Sequence, residues 1–305
     1  MAGTARGAGA AVLPHPIPYQ GSKRALAGRI LAQFPGDVQT LYEPFAGSAA
    51  LSIAAAAAGR AARFAINDIN RPLAALLERI VNHPQQVADR YEAEWRAQGG
   101  DVEASVIHFH RVRNQFNTAQ SPDHLLFLLS RCIKGAVRYN RGGHFNQSPD
   151  KRRRGTRPER MRANILGVSA LLKGRATFTA LDHALAVAEA TPGDLIYMDP
   201  PYQGVSGGRD ARYVAGLDFE AFVEALAAFN SRGLRYLVSF DGRLGDRHYG
   251  VSLPAALGLK RLELVAGRSS QATLLGREAV TVESLYLSPA LIEARGAKPV
   301  EREEA

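Results

Sequence analysis

The chain has 305 residues, with 38 lysines and arginines against 29 aspartates and glutamates, and a single cysteine. That length suits one large α/β domain carrying an insertion or two small domains, and one thiol excludes an internal disulfide while fitting a reducing cytoplasm. The basic excess is local: residues 111–162 hold 13 basic and 3 acidic residues, whereas the remainder is nearly balanced at 25 to 26. A face of mixed sign would be ordinary solvation, but a single-signed segment is the footprint expected for a polyanion partner.

Residues 1–15 are rich in Ala and Gly, lack a leucine-rich stretch, and read as a flexible arm rather than a signal peptide. The run Tyr19-Gln20-Gly21-Ser22-Lys23 precedes an amphipathic helix over LAGRILAQF. An aromatic, a glycine and a lysine at a helix start can hold a carboxylate-bearing ligand; the plainer reading is a capped helix with a surface lysine. LYEPFAGSAALSIAAAAAG then predicts a strand, a glycine turn and a helix running to Gly59. Its alanine run, Ala54 to Ala58, is far short of the roughly 20 apolar residues of a membrane span, and no membrane association is expected.

RFAINDIN predicts a second strand, and RPLAALLERIVNHP an amphipathic helix that starts on a proline and stops before Pro84. Alternating strands and helices argue for a parallel sheet covered on both faces. From Pro84 to Leu172 the pattern changes to helices and basic loops, Arg/Gly-rich between Arg138 and Arg162. Cys132, in the apolar run LLFLLSRCI, reads as a core residue. His108 and His110 have no cysteine or carboxylate cluster nearby; they read as polar helix surface, and no metal site is expected. Strands resume at ATFTALD, DLIYMD and LRYLVSF. RLELVA and AVTVESLYL then form an expected closing hairpin, and after Pro289 a charged tail reads as disordered.

Chemistry concentrates at Asp199-Pro200-Pro201-Tyr202, directly after the apolar strand Leu195–Met198. Asp199 and Pro200 each precede a proline and are pushed to extended conformations, which makes a stiff corner at the carboxyl end of a strand. An exocyclic amino group of adenine or cytosine is a poor nucleophile because its lone pair is delocalised into the ring. Two fixed acceptors, the Asp199 carboxylate and the Pro200 carbonyl, would hold both amino hydrogens and direct the lone pair at an electrophilic methyl. Tyr202 offers a face for stacking an extruded base. The tetrapeptide points to methylation of a planar amino nitrogen without separating adenine from cytosine.

Gly47, in Glu43-Pro44-Phe45-Ala46-Gly47-Ser48, lets backbone approach a cofactor, and Asp68, 21 residues on and ending the next strand, can accept from ribose hydroxyls. A nicotinamide dehydrogenase would show Gly-x-Gly-x-x-Gly here, and this turn reads Gly47-Ser48-Ala49.

Taken in order, these motifs together with Arg138-Tyr139-Asn140-Arg141-Gly142-Gly143-His144-Phe145-Asn146 resemble the DNA adenine methyltransferase (Dam) family over roughly residues 16 to 287. The resemblance implies an α/β, Rossmann-like class I methyltransferase sheet with a helical, basic target-recognition insertion. The implied layout is an S-adenosyl-L-methionine-binding catalytic domain over 16–83 and 173–288, a DNA-recognition insertion over 84–172 and a tail over 289–305.

By match, Tyr19 and Lys23 would flank the cofactor, Lys23 near its carboxylate; Phe45 and Gly47 would line its turn, Asp68 would hold its ribose, and Asp182 would contact its adenine ring. Asp199, Pro200 and Tyr202 would carry the chemistry. Arg138, Tyr139 and Asn140 would belong to the DNA-facing hairpin, and Arg268, Ser269 and Ser270 to a polar loop facing the DNA; Arg141 and the basic run Lys151, Arg152, Arg153 and Arg154 are expected at the DNA for their charge. Double-stranded DNA is the implied partner, a cognate restriction endonuclease is compatible, and a cytoplasmic monomer is expected.

Two departures stand out. Ala49 occupies the place of the family's second turn glycine. The positions that read GATC in the best-known members are filled by Pro18 and Gly142. Action on cytosine N4 or RNA, and a catalytically silent DNA-binding role, are the alternatives to adenine N6 methylation.

Overall fold

The computed structural model describes residues 13–201, 217–244, 247–268 and 280–296. Five strands lie parallel in the order β3 (Ala176–Thr179), β2 (Arg63–Asn67), β1 (Thr40–Glu43), β4 (Leu195–Met198) and β5 (Tyr236–Leu244). Antiparallel β8 (Val280–Leu287) and β7 (Lys260–Arg268) extend the sheet beyond β5, and the short β6 (Arg247–Tyr249) pairs with the end of β5. The closing hairpin expected from the sequence is therefore β7–β8.

Both faces of the sheet are covered, and the side-chain alternation of a strand shows how. Leu195 and Tyr197 of β4 join one core cluster, while Ile196 and Met198 join the other. Leu285 and Leu287 of β8 face the first, and Tyr286 the second. The first face packs against α2 (Ala50–Ala57), α3 (Arg71–Asn82) and α7 (Pro158–Leu172); the second packs against α9 (Phe219–Ser231), through Phe222, Leu226 and Phe229. In α2, Ala54, Ala55 and Ala56 are all buried, so small side chains let this helix lie close to the sheet.

The helical segment adds α4 (Pro84–Ala97), α5 (Val102–Ala119) and α6 (Pro122–Arg131), with Asp101 capping α5 by accepting from the Ala104 amide. It is not walled off: Phe109, Phe116, Leu125 and Phe127 share one cluster with Leu41 and Phe64 of the sheet. Cys132 is buried there, as expected, and burial pushes its thiol up to about 12. Among the described residues no helix is long and apolar enough to cross a membrane, and no group of three or more His, Cys, Asp or Glu could hold a metal ion.

Three expectations need correction. The packed chain starts before residue 16: Asn164 donates to the His15 carbonyl, and Pro14 sits where any Cβ on Gly167 would intrude. The tail opens with a helix, α10 (Pro289–Gly296), because Ser288 Oγ accepts from the Leu291 amide and Leu291 fills a core position. His108 is buried rather than on a helix surface, with Nε2 2.9 Å from the Glu94 carboxylate; burial lowers its pKa.

Candidate active site

The strand order reverses between β1 and β4, and an open α/β sheet leaves a crevice at the carboxyl ends of the strands at such a point. A cleft of about 470 Å³ lies there. Its walls bring together Tyr19, Lys23, Phe45, Gly47, Asp68, Asp182, Asp199 and Pro200, residues spread over most of the chain.

The floor is set by the ends of three parallel strands. Asn67, buried at the end of β2, donates to the carbonyls of Pro44 (2.9 Å) and Leu181 (3.0 Å) and accepts from the Leu181 amide (2.8 Å). One side chain thus fixes the exits of β1, β2 and β3. Asp68 accepts from the amides of Gly47 (2.9 Å) and Asn70 (2.9 Å), and burial raises its pKa. Each oxygen keeps a lone pair for a ligand hydroxyl.

At Gly47, with φ +52°, a Cβ would sit 2.9 Å from the Tyr19 ring, so only glycine lets that ring close over the turn. Ser22 Oγ meets Ser48 Oγ at 3.0 Å and joins the first motif to the same turn. Ala49 is left-handed as well, at φ 53°. A glycine would adopt that conformation without strain, which explains the family preference; here alanine tolerates it while buried at the head of α2.

Beyond the turn, Phe45 stacks on His183 with centroids 5.1 Å apart. The Nε2 of His183 is buried without a hydrogen-bond partner among the described residues, and the exposed apolar side chains of Ile69 and Leu181 flank the cleft. Asp182 is exposed and caps the short α8 (His183–Ala186) by accepting from the Ala184 amide at 2.9 Å.

Asp199 stands at the exit of β4. Its Oδ1 is 2.8 Å from the Lys23 ammonium, which also lies 3.4 Å from Glu283 of β8. Lys23 is therefore buried between two protein carboxylates rather than lying on the surface. Burial pushes the Asp199 carboxyl up to about 6, against the pull of Lys23, with Glu283 adding to the rise. Glu43, at the exit of β1, is fully buried, accepts from the Ser52 amide (3.0 Å) and hydroxyl (2.5 Å), and is pushed up to about 7 by burial. Tyr202 lies outside the described residues.

The basic segment builds an irregular hairpin beside the cleft. Its base pairs Cys132 with Pro149, and its outer end pairs Tyr139 with Phe145. Gln20 donates to the Gly135 carbonyl (3.1 Å), and a Cβ on Gly135 would lie 2.7 Å from the Pro18 carbonyl, so the first motif and the hairpin are in direct contact. Ala136 and Val137 line the cleft.

Of the expected DNA-facing residues, Arg138, Asn140 and Arg141 are exposed, whereas Tyr139 is buried, packed edge-on against Phe145 with its hydroxyl on Asn70. Asn140 Oδ1 accepts from the amides of Gly142 (2.9 Å) and His144 (3.0 Å) and shapes the tip.

The loop Lys151–Arg154 divides. Arg153 pairs with Asp150 at 2.7 Å, and Arg154 lies over the Trp95 ring and donates to the Gly99 carbonyl. Lys151 and Arg152 are exposed, without an ion pair among the described residues. Arg131, buried at the end of α6, holds the loop from below. It donates to the carbonyls of Asp150 (2.8 Å) and Arg153, while Gln98 and Ser105, each at 2.8 Å, fix the guanidinium. Arg268 ends β7, and Ser269 and Ser270 lie outside the described residues.

Sequence reasoning missed Glu43, Asn70 and His183 as wall residues, Asn67 and Glu283 as the partners that hold wall elements in place, and Arg131 as an anchor. Glu43 and Asn67 sat in plain view inside recognised motifs. Burial of a polar residue at a strand exit was the unused signal.

Comparison with known proteins agrees with this geometry. The chain is 28% identical over 239 residues to the modification methylase StsI of Streptococcus sanguinis, covering 73% of this chain and 35% of that protein. It is 27% identical over 237 residues to the DNA N-6-adenine-methyltransferase of Escherichia phage P1, covering 73% and 29%. It is 27% identical over 195 residues to the DNA adenine methylase of Serratia marcescens, covering 62% and 67%. The chain thus spans about a third of the length of the first two relatives. The family model for D12 class N6 adenine-specific DNA methyltransferases matches residues 19–239, and the chain belongs to that family.

Proposed function

We propose that this chain transfers a methyl group from S-adenosyl-L-methionine to N6 of an adenine turned out of double-stranded DNA. The observation that carries the reading is the Asp199–Pro200 corner at the sheet's reversal point, on the wall of the same cleft that holds Gly47 and Asp68.

The donor supplies an electrophilic methyl on a sulfonium. The cleft suits its nucleoside part: a carboxylate, Asp68, for ribose hydroxyls; exposed Ile69 and Leu181 for a flat ring; and a turn at Gly47 that any Cβ would fill. Asp182 and the unpartnered Nε2 of His183 offer polar contacts at the ring edge. Asp199 and the Pro200 carbonyl accept the two amino hydrogens and aim the nitrogen lone pair into the cleft. Lys23 keeps Asp199 ionised and in place. Positioning and fixed dipoles, rather than covalent chemistry, supply the rate.

Recognition of the duplex is assigned to the segment 84–172, whose hairpin tip, Lys151 and Arg152 present exposed basic groups. Incubation of duplex DNA, and in parallel of RNA, with the chain and isotopically labelled donor, followed by nucleoside mass spectrometry, tests the reading. N6-methyladenine is expected. N4-methylcytosine, label in RNA alone, or no transfer with intact DNA binding would each replace it with one of the alternatives.

A further inference from the structure

The position of Glu283 needs a reason. It shares strand parity with Leu285 and Leu287, which face the first apolar cluster, so an acidic side chain occupies a core-facing register position of β8. It pairs across the sheet with Gly242 of β5, where the ladder shifts register between Ser239 and Gly242. A Cβ on Gly242 would sit 2.6 Å from the Val282 carbonyl, so the glycine lets β8 approach, and a bulge of this kind re-aims the neighbouring side chains. The result is a second carboxylate 3.4 Å from the Lys23 ammonium, beside the 2.8 Å contact with Asp199. The side chains of Lys23, Asp199 and Glu283 are 6%, 19% and 22% exposed, so little water screens the three charges.

We propose that Glu283 is a positioning residue that divides the Lys23 ammonium with Asp199 and so leaves Asp199 able to take the proton that the methylated amino nitrogen loses. The inference rests on the amino-methylation reading. Forming the nitrogen–carbon bond breaks the carbon–sulfur bond, whose electron pair stays on sulfur, and the nitrogen must then shed one proton. Asp199 receives it as a carboxylic acid and returns it to water; Lys23 stays an ammonium and Glu283 a carboxylate throughout.

An aspartate bound by a lysine alone would be a weak base, because the adjacent cation favours its charged form. The second carboxylate offsets that cation. Around Asp199 the other groups are Glu43 from β1, whose own carboxyl Asp199 pushes further up, the phenol of Tyr197 from its own strand, and Asp68 and Asp218 on the cleft walls. Among the described residues, Glu283 is the carboxylate seen to share with Asp199 the cation of Lys23.

The test needs neither DNA nor donor. In free enzyme labelled with 13C at the aspartate carboxyls, the Asp199 resonance is assigned by its loss in Asp199→Asn. Its midpoint is expected about one pH unit lower in Glu283→Gln and higher in Lys23→Met. Glu283→Asp, which keeps the charge one methylene further back, is expected to fall between Glu283→Gln and wild type, and it serves if the glutamine variant fails to fold. In single-turnover methylation the acid limb of the rate should move in the same direction, with DNA affinity unchanged. An unmoved Asp199 midpoint in Glu283→Gln, or in Glu283→Asp where that variant serves, would overturn the proposal. A shifted midpoint in a chain that methylates nothing would overturn the functional reading and leave the charge-sharing intact.

Discussion

The hydroxyl of Tyr139, in the hairpin, donates to Asn70 Oδ1 at 3.3 Å, and Asn70 donates its own amide to Asp68 at 2.9 Å. A residue expected to touch DNA instead ties the hairpin to the wall that would hold the ribose. Tyr139→Phe keeps the ring against Phe145 and removes only that tie. A neutral hydrogen bond contributes about 1 kcal/mol, or roughly fivefold. DNA affinity should fall by about that factor with no change in its salt dependence, since no phosphate contact is lost. Filter binding across a salt series checks both; a flatter salt slope would return Tyr139 to the DNA surface.

Glu43 should make the fold sensitive to pH. Burial raises its carboxyl from an ordinary value near 4.5 to about 7, so between those values the folded state binds a proton that the unfolded state has released. Its contribution to stability is therefore lost as pH rises through that window, and above it the fold carries a buried charge. Glu43→Gln keeps an acceptor for Ser52 and removes the charge. Its melting temperature should exceed that of wild type at about pH 8 and converge with it at about pH 5. Thermal melts without ligand at the two pH values decide the point; a variant less stable at both would contradict it.

The salt dependence of DNA binding should come unevenly from the basic loop. Arg153 is engaged by Asp150 and Arg154 by Trp95, whereas Lys151 and Arg152 are exposed. If each exposed group neutralises one phosphate, replacing both with Ala should reduce the log–log slope by about 1.8, at roughly 0.9 per contact. Replacing Arg153 and Arg154 should change the slope far less. Equal effects of the two pairs would mean that the internal contacts break on DNA.

Selectivity for GATC should be absent. Pro18 offers no side-chain donor, and at the hairpin tip the guanidinium belongs to Arg141, one residue before Gly142. Pro18 abuts Gly135 at the root of that hairpin, so the first motif and the hairpin are joined at this point. Bidentate contacts from Arg or Lys discriminate guanine by roughly 1–3 kcal/mol each, and losing two should cost orders of magnitude. A methylome of DNA exposed to the enzyme checks this; uniform GATC methylation would mean that Arg141 or His144 replaces them.

Much of this was legible in the sequence where local rules govern. The prolines after Asp199, the glycine at residue 47 and the carboxylate 21 residues later mark strand exits, and all three line one cleft. The β7–β8 hairpin was readable from its alternation. Long-range choices were not. Nothing near Lys23 in sequence announces that Glu283, from the far end of the chain, will share its charge, because that contact depends on a glycine and a register shift in β5. Tyr139 was expected at the DNA because it falls in the hairpin motif that carries the resemblance; its burial against Phe145 is a tertiary fact. Likewise Arg131 looked like one more basic residue of a basic segment, yet it is the buried anchor of the loop.

The most direct test of the account is single-turnover methylation of duplex DNA by Asp199→Ala, with enzyme saturating and DNA affinity measured in parallel. Loss of a preorganised acceptor made in the transition state should lower the rate by about 100- to 1000-fold or more. DNA affinity should stay within a few-fold of wild type, because Asp199 lies in the cleft and not on the basic surface. Transfer to adenine N6 at a near-wild-type rate by that variant would contradict the assignment of the chemistry to the Asp199–Pro200 corner.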